Sequence, residues 1–227
     1  MFDKILIANR GEIAIRIAAT CRRLGIRTLA LYSEIDARSQ HVQAADEAVC
    51  IGPPRSDQSY LAREKIIEAA LAHGCTAIHP GYGFLSENPA FAEMVTRAGL
   101  AFIGPPAAAI AALGDKVASK ALAVKAGVPV VPGLLKSVDD LDAALAGAEE
   151  IGYPLLLKPA AGGGGKGMRI VASRDELAAA MQAGRAETRK AFGDDRVFVE
   201  KYIPAARHVE LQIMADRHGA VIHLGER

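Results

Sequence analysis

The residues of this 227-residue chain best suited to chemistry lie in one stretch, Leu155-Leu-Leu-Lys158-Pro-Ala-Ala-Gly162-Gly163-Gly164-Gly165-Lys166-Gly167-Met168-Arg169-Ile-Val171. An apolar run ends in a lysine; four glycines, a second lysine and a second apolar run follow. Glycine has no Cβ, so its backbone can lie against a ligand, and successive bare N–H groups form a concave anion site. Lys158 and Lys166 add positive charge at the two edges. The combination suits a polyphosphate. It is not the common phosphate loop, which needs Gly-x-x-x-x-Gly-Lys-Ser/Thr opening a helix. Here Gly167 stands where the hydroxyl belongs and Ala160 where the first glycine belongs, and Met168 to Ala172 reads as a strand. A glycine flap between two strands would lie over a nucleotide as a lid. The alternative, a hairpin tip or linker, fits less well, because linkers rarely sit between two β-branched runs with lysines at both edges.

Other candidates are weaker taken singly. Glu200-Lys201-Tyr202-Ile203 ends a strand, where outward backbone groups could pair with an adenine edge; an ordinary edge strand reads the same. Lys116, after Gly114-Asp115, would project from a helix terminus, but spacing alone favours a solvated helix lysine. His208 is one of six histidines, and alone reads as a structural or surface residue. Magnesium ATP needs carboxylate oxygens. After the flap the chain offers Glu200, Glu210, Asp216 and Glu226, scattered and without a clear pair, so the metal-binding half of the site is expected to lie outside this chain.

The elements that must carry these groups follow from periodicity. Lys4–Ala8 reads as a buried strand, and Asn9-Arg10-Gly11-Glu12 turns into a helix to Leu24 with Ile13, Ile17, Thr20, Cys21 and Leu24 on one face. Strands are expected at Ile26–Tyr32, Glu47–Ile51, Thr76–His79 and Leu100–Ile103, with helices over Tyr60–His73 and from the Asn88-Pro89 cap to Arg97. Ala107–Gly127 is helical with a break at Gly114-Asp115-Lys116. A helix from Ser137-Val-Asp-Asp140 to Gly152 precedes the strand Tyr153–Lys158. Ser173-Arg-Asp-Glu176 matches a capping box opening a helix to about Phe192. Arg196–Ile203 is a strand, and His208–Met214 and Val221–Leu224 form a hairpin around Asp216-Arg-His-Gly219.

Alternating strands and helices predict an α/β fold with a doubly wound, mostly parallel sheet in the first half. A small α+β unit holding the flap follows. In such a sheet ligands bind beyond the carboxyl ends of the strands. Two loops fall there, Asn9–Glu12 and His79-Pro-Gly81-Tyr82-Gly83-Phe84-Leu-Ser86-Glu87-Asn88. A dinucleotide site is disfavoured, because the first strand–helix turn has one glycine rather than Gly-x-Gly-x-x-Gly.

Composition bounds the rest. A length of 227 residues allows one or two domains with a real core. The net charge of +1 argues against a nucleic-acid surface. Cys21, Cys50 and Cys75 are odd in number and far apart, so neither a disulfide framework nor a zinc site is implied, and each is expected to be a small buried residue. Neither a signal peptide nor a membrane-length apolar run is evident, and a reducing cytoplasm is the default expectation, with no membrane partner.

Taken together, Ile-Ala-Asn9-Arg10-Gly11-Glu12, the His79–Asn88 loop, Gly114-Asp115-Lys116, the flap, Glu200-Lys201-Tyr202 and Arg207-His208-Val-Glu210 occur in an order that resembles biotin carboxylase, the ATP-grasp component of biotin-dependent carboxylases. The resemblance spans the chain, and among such enzymes it is similar to the biotin-carrying subunit of a bacterial acyl-CoA carboxylase. It implies a ligase that activates bicarbonate with ATP as carboxyphosphate and then carboxylates biotin on a carrier domain. By resemblance, Lys116 and Lys158 would contact ATP phosphates, and Gly163, Gly164 and Gly165 would close over them. Met168 would pack near the base; Glu200, Lys201, Tyr202 and Ile203 would form the adenine hinge, and His208 would face the ribose or phosphates. Tyr82, Gly83 and Glu87 would border the pocket for biotin and bicarbonate. Pro159 departs from the alanine expected there and could stiffen the flap's entry.

The implied organisation is a pre-ATP-grasp sheet domain over 1–106, a helical linker over 107–130, a lid subdomain over 131–203 and the start of the C-terminal ATP-grasp subdomain over 204–227. The family's magnesium carboxylates, its substrate-orienting arginine and the biotin carrier domain would lie beyond that hairpin. The chain is therefore expected to be an N-terminal portion with little activity of its own. Within a homodimer or larger complex it would cooperate with a carboxyltransferase subunit. Two other readings stand beside this one. One is another ATP-grasp ligase of the carbamoyl-phosphate or purine-pathway type, which shares a glycine flap but not the His79–Asn88 loop. The other is a non-catalytic nucleotide-binding or dimerisation module. A dehydrogenase is the weakest option.

Overall fold

The structure, a computed structural model, describes residues 2–134, 140–160, 167–216 and 218–227, with no side-chain description at 191 and 192. The flap glycines Gly163, Gly164 and Gly165, with Lys166, lie outside the described residues. So does the Ser137 start expected for the helix that runs to Gly152. The chain forms two compact units, Met1–Leu122 and Ala123–Arg227.

In the first unit β1 (Lys4–Ile7), β2 (Arg27–Ser33), β3 (Glu47–Gly52), β4 (Ala77–His79) and β5 (Ala101–Phe102) make one sheet, ordered β3-β2-β1-β4-β5. Every pairing is parallel, with Ile5 opposite both Thr28 and Ala77. The connecting helices are α1 (Gly11–Arg23), the short α2 (Gln40–Ala44), α3 (Arg63–Ala72) and α4 (Pro89–Arg97), followed by α5 (Ala107–Gly114) and α6 (Lys116–Lys125). The period of two along β1 divides the core. Ile5 and Ile7 pack with Ile13, Ala14, Ile17, Ala18 and Cys21 of α1. Leu6 and Ala8 belong to the other layer, with Ile66, Phe91 and Val95 from α3 and α4. Helices on both faces are what a doubly wound sheet requires, because a parallel strand buries both sides. The chain reverses its direction of travel across the sheet between β1 and β4.

The second unit has α7 (Leu141–Ile151), β6 (Leu155–Pro159), β7 (Arg169–Val171), α8 (Arg174–Phe192) and β8 (Val197–Lys201), then β9 (Leu211–Ala215) and β10 (Val221–Glu226). The central strand β6 is antiparallel to both β7 and β8. Leu155 and Leu157 point into a core shared with Ala144, Ala148, Leu177, Met181, Val197 and Val199. On the other side of β8, Gly133 bridges Glu200 and the Leu134 N–H donates to Val199 O at 3.0 Å. β9 and β10 pair as a hairpin, with Met214 opposite Ile222.

Several expectations change. Leu24 is 54% exposed because α1 ends at Arg23 and Leu24 has left the helical face; Ala14 and Ala18 are buried there instead, and Thr20 is only partly buried. α3 starts at Arg63, not Tyr60, which enters the core and stacks on Phe84 at 5.1 Å between ring centroids. Cys21 and Cys75 are buried, but Cys50 is exposed, because β3 is an edge strand with one neighbour. The capping box at Ser173 is incomplete: the Ser173 side chain makes no cap bond, and Glu176 accepts instead from the Ala172 N–H at 2.8 Å. Asn88 does cap α4, accepting from the Phe91 N–H at 2.8 Å with Pro89 in the first turn.

Candidate functional site

The two strands flanking the glycine run are adjacent and antiparallel, with Leu157 opposite Arg169. The flap's exit is tied to α8 through Glu187. Its carboxylate accepts the Gly167 N–H at 3.2 Å and pairs with the Arg169 guanidinium at 3.1 Å. Gly167 is required to be glycine: its φ is +75°, and a Cβ there would lie 2.7 Å from Thr188 Oγ1. Nothing in the sequence marked Glu187, because the contact joins residues 20 apart across a helix and a strand.

Lys158 leaves β6 on the face away from Leu155 and Leu157. Phe198 sits opposite it and Glu200 two residues further along β8, so Lys158 and Glu200 are diagonal neighbours on one face. Their side chains form an ion pair with only 25% and 11% exposure. The pair places a cation beside the flap's entry and compensates a carboxylate that is otherwise buried.

The remaining residues expected to form a hinge use part of their backbone internally. The Lys201 N–H donates to Pro132 O at 2.8 Å and the Tyr202 N–H to Pro154 O at 3.1 Å. The Lys201 ammonium donates to the carbonyls of Gly152 and Tyr153, both at 2.9 Å, at the carbonyl-rich end of α7. Ile203 and Met168 are exposed, at 49% and 41%. His208 is exposed, with Nε2 2.9 Å from Glu210 Oε1. Lys116 is the first residue of α6, and Asp115 caps that helix by accepting the Val117 and Ala118 N–H groups, both at 2.9 Å.

The first unit has its own cleft, of about 640 Å³, at the carboxyl ends of β1 and β4, where sheet topology places ligand sites. Asn9, Arg10, Glu12, Asp36, Tyr82 and Gly83 are among its lining residues. Glu87 is on the same loop but is exposed and not part of that lining. Asp36 accepts from Tyr60 OH at 2.8 Å and Ser33 Oγ at 2.9 Å, with Arg10 at 3.3 Å. Burial pushes the Asp36 carboxyl up, but these donors and Arg10 outweigh it and hold it below the usual carboxylate range. Burial, with the Asp36 hydrogen bond added, pushes the Tyr60 phenol up to about 12. At the end of β4, burial and the nearby Arg16 charge take His79 down to about 4, so its ring is neutral and Nδ1 accepts the Gly81 N–H at 3.0 Å. The sequence reading passed over Asp36 and Tyr60, which come together only when the two connections after β2 and β3 pack side by side.

A doubly wound sheet without a dinucleotide turn, followed by a small antiparallel sheet whose strands β6 and β7 flank a glycine run with Lys158 before it, is the architecture of an ATP-grasp protein. The biotin carboxylase N-terminal domain matches residues 1–110, and the carbamoyl-phosphate synthase L chain ATP-binding domain matches residues 115–227. The chain belongs to the biotin carboxylase family. It is 51% identical, over its whole length, to the propionyl-CoA carboxylase alpha chain of Ruegeria pomeroyi, spanning 33% of that protein. It is 54% identical to a biotin carboxylase of Nostoc, spanning 51% of it. Among solved structures, the biotin carboxylase domain of the Hydrogenobacter thermophilus 2-oxoglutarate carboxylase, a dimer in complex with MgADP, ADP and bicarbonate, superposes with a TM-score of 0.96 at 48% identity. That match covers all of this chain and 50% of the other. The chain thus spans about a third to a half of the relatives' length. No described helix is long and apolar enough to cross a membrane.

Proposed function

We propose that this chain supplies the sheet domain and the nucleotide lid of an ATP- and bicarbonate-dependent biotin carboxylase within an acyl-CoA carboxylase. The observation that carries the reading is the placement of Lys158. It sits on β6 at the flap's entry, with its ammonium held on the sheet face by Glu200. In the reaction, a bicarbonate oxygen attacks the γ-phosphorus of ATP and ADP leaves, giving carboxyphosphate. The carboxyl group then passes to a ureido nitrogen of biotin as its C–O bond to phosphate breaks, and the released phosphate takes up the nitrogen's proton. Phosphoryl transfer of this kind depends on positioning and charge neutralisation. Lys158 and Lys116 would offset phosphate charge, the flap amides of Gly163, Gly164 and Gly165 would enclose it, and Met168 and residues 200–203 would hold the adenine. His208 would face the ribose or phosphate side. Tyr82 and Gly83, with Glu87 further along their loop, would border the acceptor pocket.

Magnesium, when bound, would neutralise phosphate charge. Among the described residues no three His, Cys, Asp or Glu side chains gather as a metal site, so no ligand in this chain is assigned to it. The longer protein would supply those carboxylates, the substrate-orienting arginine and the biotin carrier domain, and would work as a homodimer or larger complex with a carboxyltransferase subunit. The proposed organisation is sheet domain 1–106, linker 107–130, lid 131–203 and the start of the next subdomain from 204, in a cytoplasmic protein. The relatives act on different acceptors, propionyl-CoA among them, so the acyl group stays open.

The test is bicarbonate-dependent ATP cleavage with free biotin as acceptor, measured on this chain and on a chain extended to the length of the biotin carboxylases it matches. Turnover only in the extended chain is expected. Comparable turnover by the 227 residues alone would overturn the division of labour, and absence of nucleotide binding in both would overturn the reading itself. A carbamoyl-phosphate synthase type of ligase is the second reading, favoured by the domain matched at 115–227; the biotin carboxylase domain matched at 1–110 weighs against it.

A further inference from the structure

The turn after β1 and the loop after β4 are stitched together by bonds that no motif announces. Asn9 is 4% exposed, and its side-chain nitrogen donates twice, to Pro80 O at 2.8 Å and to Tyr82 O at 2.7 Å. Its carboxamide oxygen accepts the Arg10 N–H at 2.9 Å. Only this orientation of the amide satisfies all three partners, since the two carbonyls need donors and the amide N–H needs an acceptor. Gly81 lies so close beneath that a Cβ on it would come within 2.8 Å of Asn9 Nδ2, and its φ is +65°. At the loop's outer side, Tyr82 OH donates to the Glu12 carboxylate in the first turn of α1. The loop is therefore held at Pro80 by Asn9, at Gly81 by His79, and at Tyr82 by both Asn9 and Glu12.

We infer that Asn9, with Glu12 as an outer tie, is a positioning residue that sets where Tyr82 and Gly83 stand at the rim of the cleft, and so tunes acceptor binding rather than nucleotide binding. Asn9 touches no substrate in this account; it acts through the carbonyls of Pro80 and Tyr82. The inference rests on the proposed function, in which those two rim residues border the biotin and bicarbonate pocket. Asn9→Asp is the sharpest perturbation, because it turns a double donor into a carboxylate facing two carbonyl oxygens in a buried place. Glu12→Ala is the mild one, since it removes only an exposed acceptor.

The experiment uses the extended chain, with free biotin and bicarbonate-dependent ATP cleavage as readout. Asn9→Asp is expected to raise KM for biotin about tenfold while leaving KM for ATP within about twofold, and Glu12→Ala to raise it about threefold with unchanged thermal stability. Should Asn9→Asp fail to fold, Glu12→Ala decides. A biotin KM unchanged in the folded variants overturns the inference. So does an equal rise in both KM values, which marks general loosening. If the unmodified extended chain shows no biotin-dependent turnover at all, the family-level function fails instead, and the two failures are told apart.

Discussion

Lys158 on β6 and Glu200 on β8 form a largely buried ion pair across adjacent antiparallel strands, beside the entry to the glycine flap. On the proposed function, a phosphate arriving there would meet a cation already held in place by its carboxylate partner. Such a pair does little for net stability, because desolvation offsets attraction, but removing one partner strands the other charge.

Lys158→Ala should therefore do two things. It should weaken ATP binding, measured by calorimetry, far more than Lys190→Ala, which changes an exposed lysine on α8. It should also lower stability in urea titrations, because the buried Glu200 carboxylate loses its Lys158 partner. Lys158→Met combined with Glu200→Gln should recover much of the stability and none of the binding. Equal effects of Lys158→Ala and Lys190→Ala on ATP would mean the flap is not the phosphate site.

Acidification should be felt at His79. Its folded value, about 4, lies below the ordinary histidine value of 6.5. The unfolded chain therefore takes up a proton that the folded chain refuses. The stabilisation is fully present above pH 6.5 and is lost as pH falls from there towards 4, by up to about 3 kcal/mol. His79→Asn offers an oxygen to the Gly81 N–H but does not titrate. It should show a clearly smaller stability loss between pH 7 and pH 5 in chemical denaturation.

Two helix starts make a matched comparison. Asn88 caps α4 through the Phe91 N–H, whereas the Ser173 side chain makes no cap bond to α8. Asn88→Ala should cost about 1 kcal/mol and Ser173→Ala much less, as read from denaturation midpoints.

Gly167 and Gly193 share a left-handed backbone, with φ of +75° and +73°. A Cβ at Gly193 meets nothing, but at Gly167 it meets Thr188 Oγ1. Gly193→Ala should cost about 1 kcal/mol and Gly167→Ala several times that, with the latter also weakening ATP binding. Adding Thr188→Ser should not relieve the strain, because the clashing hydroxyl remains; Thr188→Ala should relieve part of it.

Maleimide labelling of the native chain should modify Cys50 quickly and Cys21 and Cys75 slowly. The latter two are buried, and burial, their leading influence, raises both thiols. Three equally fast thiols would contradict the packing around α1 and β4.

The sequence by itself determined what depends on neighbours along the chain. Period-two and period-3.6 apolar patterns located the parallel strands and their helices, Asn88-Pro89 marked a helix start, and the apolar runs on either side of the glycines marked the antiparallel strands β6 and β7. These are short-range effects, written in residues a few positions apart. Tertiary structure alone decided the rest. Asn9 meets Tyr82 across 73 residues, Lys158 meets Glu200 across 42, and Asp36 gathers Tyr60 and Arg10. It also exposed Cys50 and moved Tyr60 from helix to core. Such partners are chosen by which strands lie side by side and which face each residue presents, and a linear pattern carries no record of strand order.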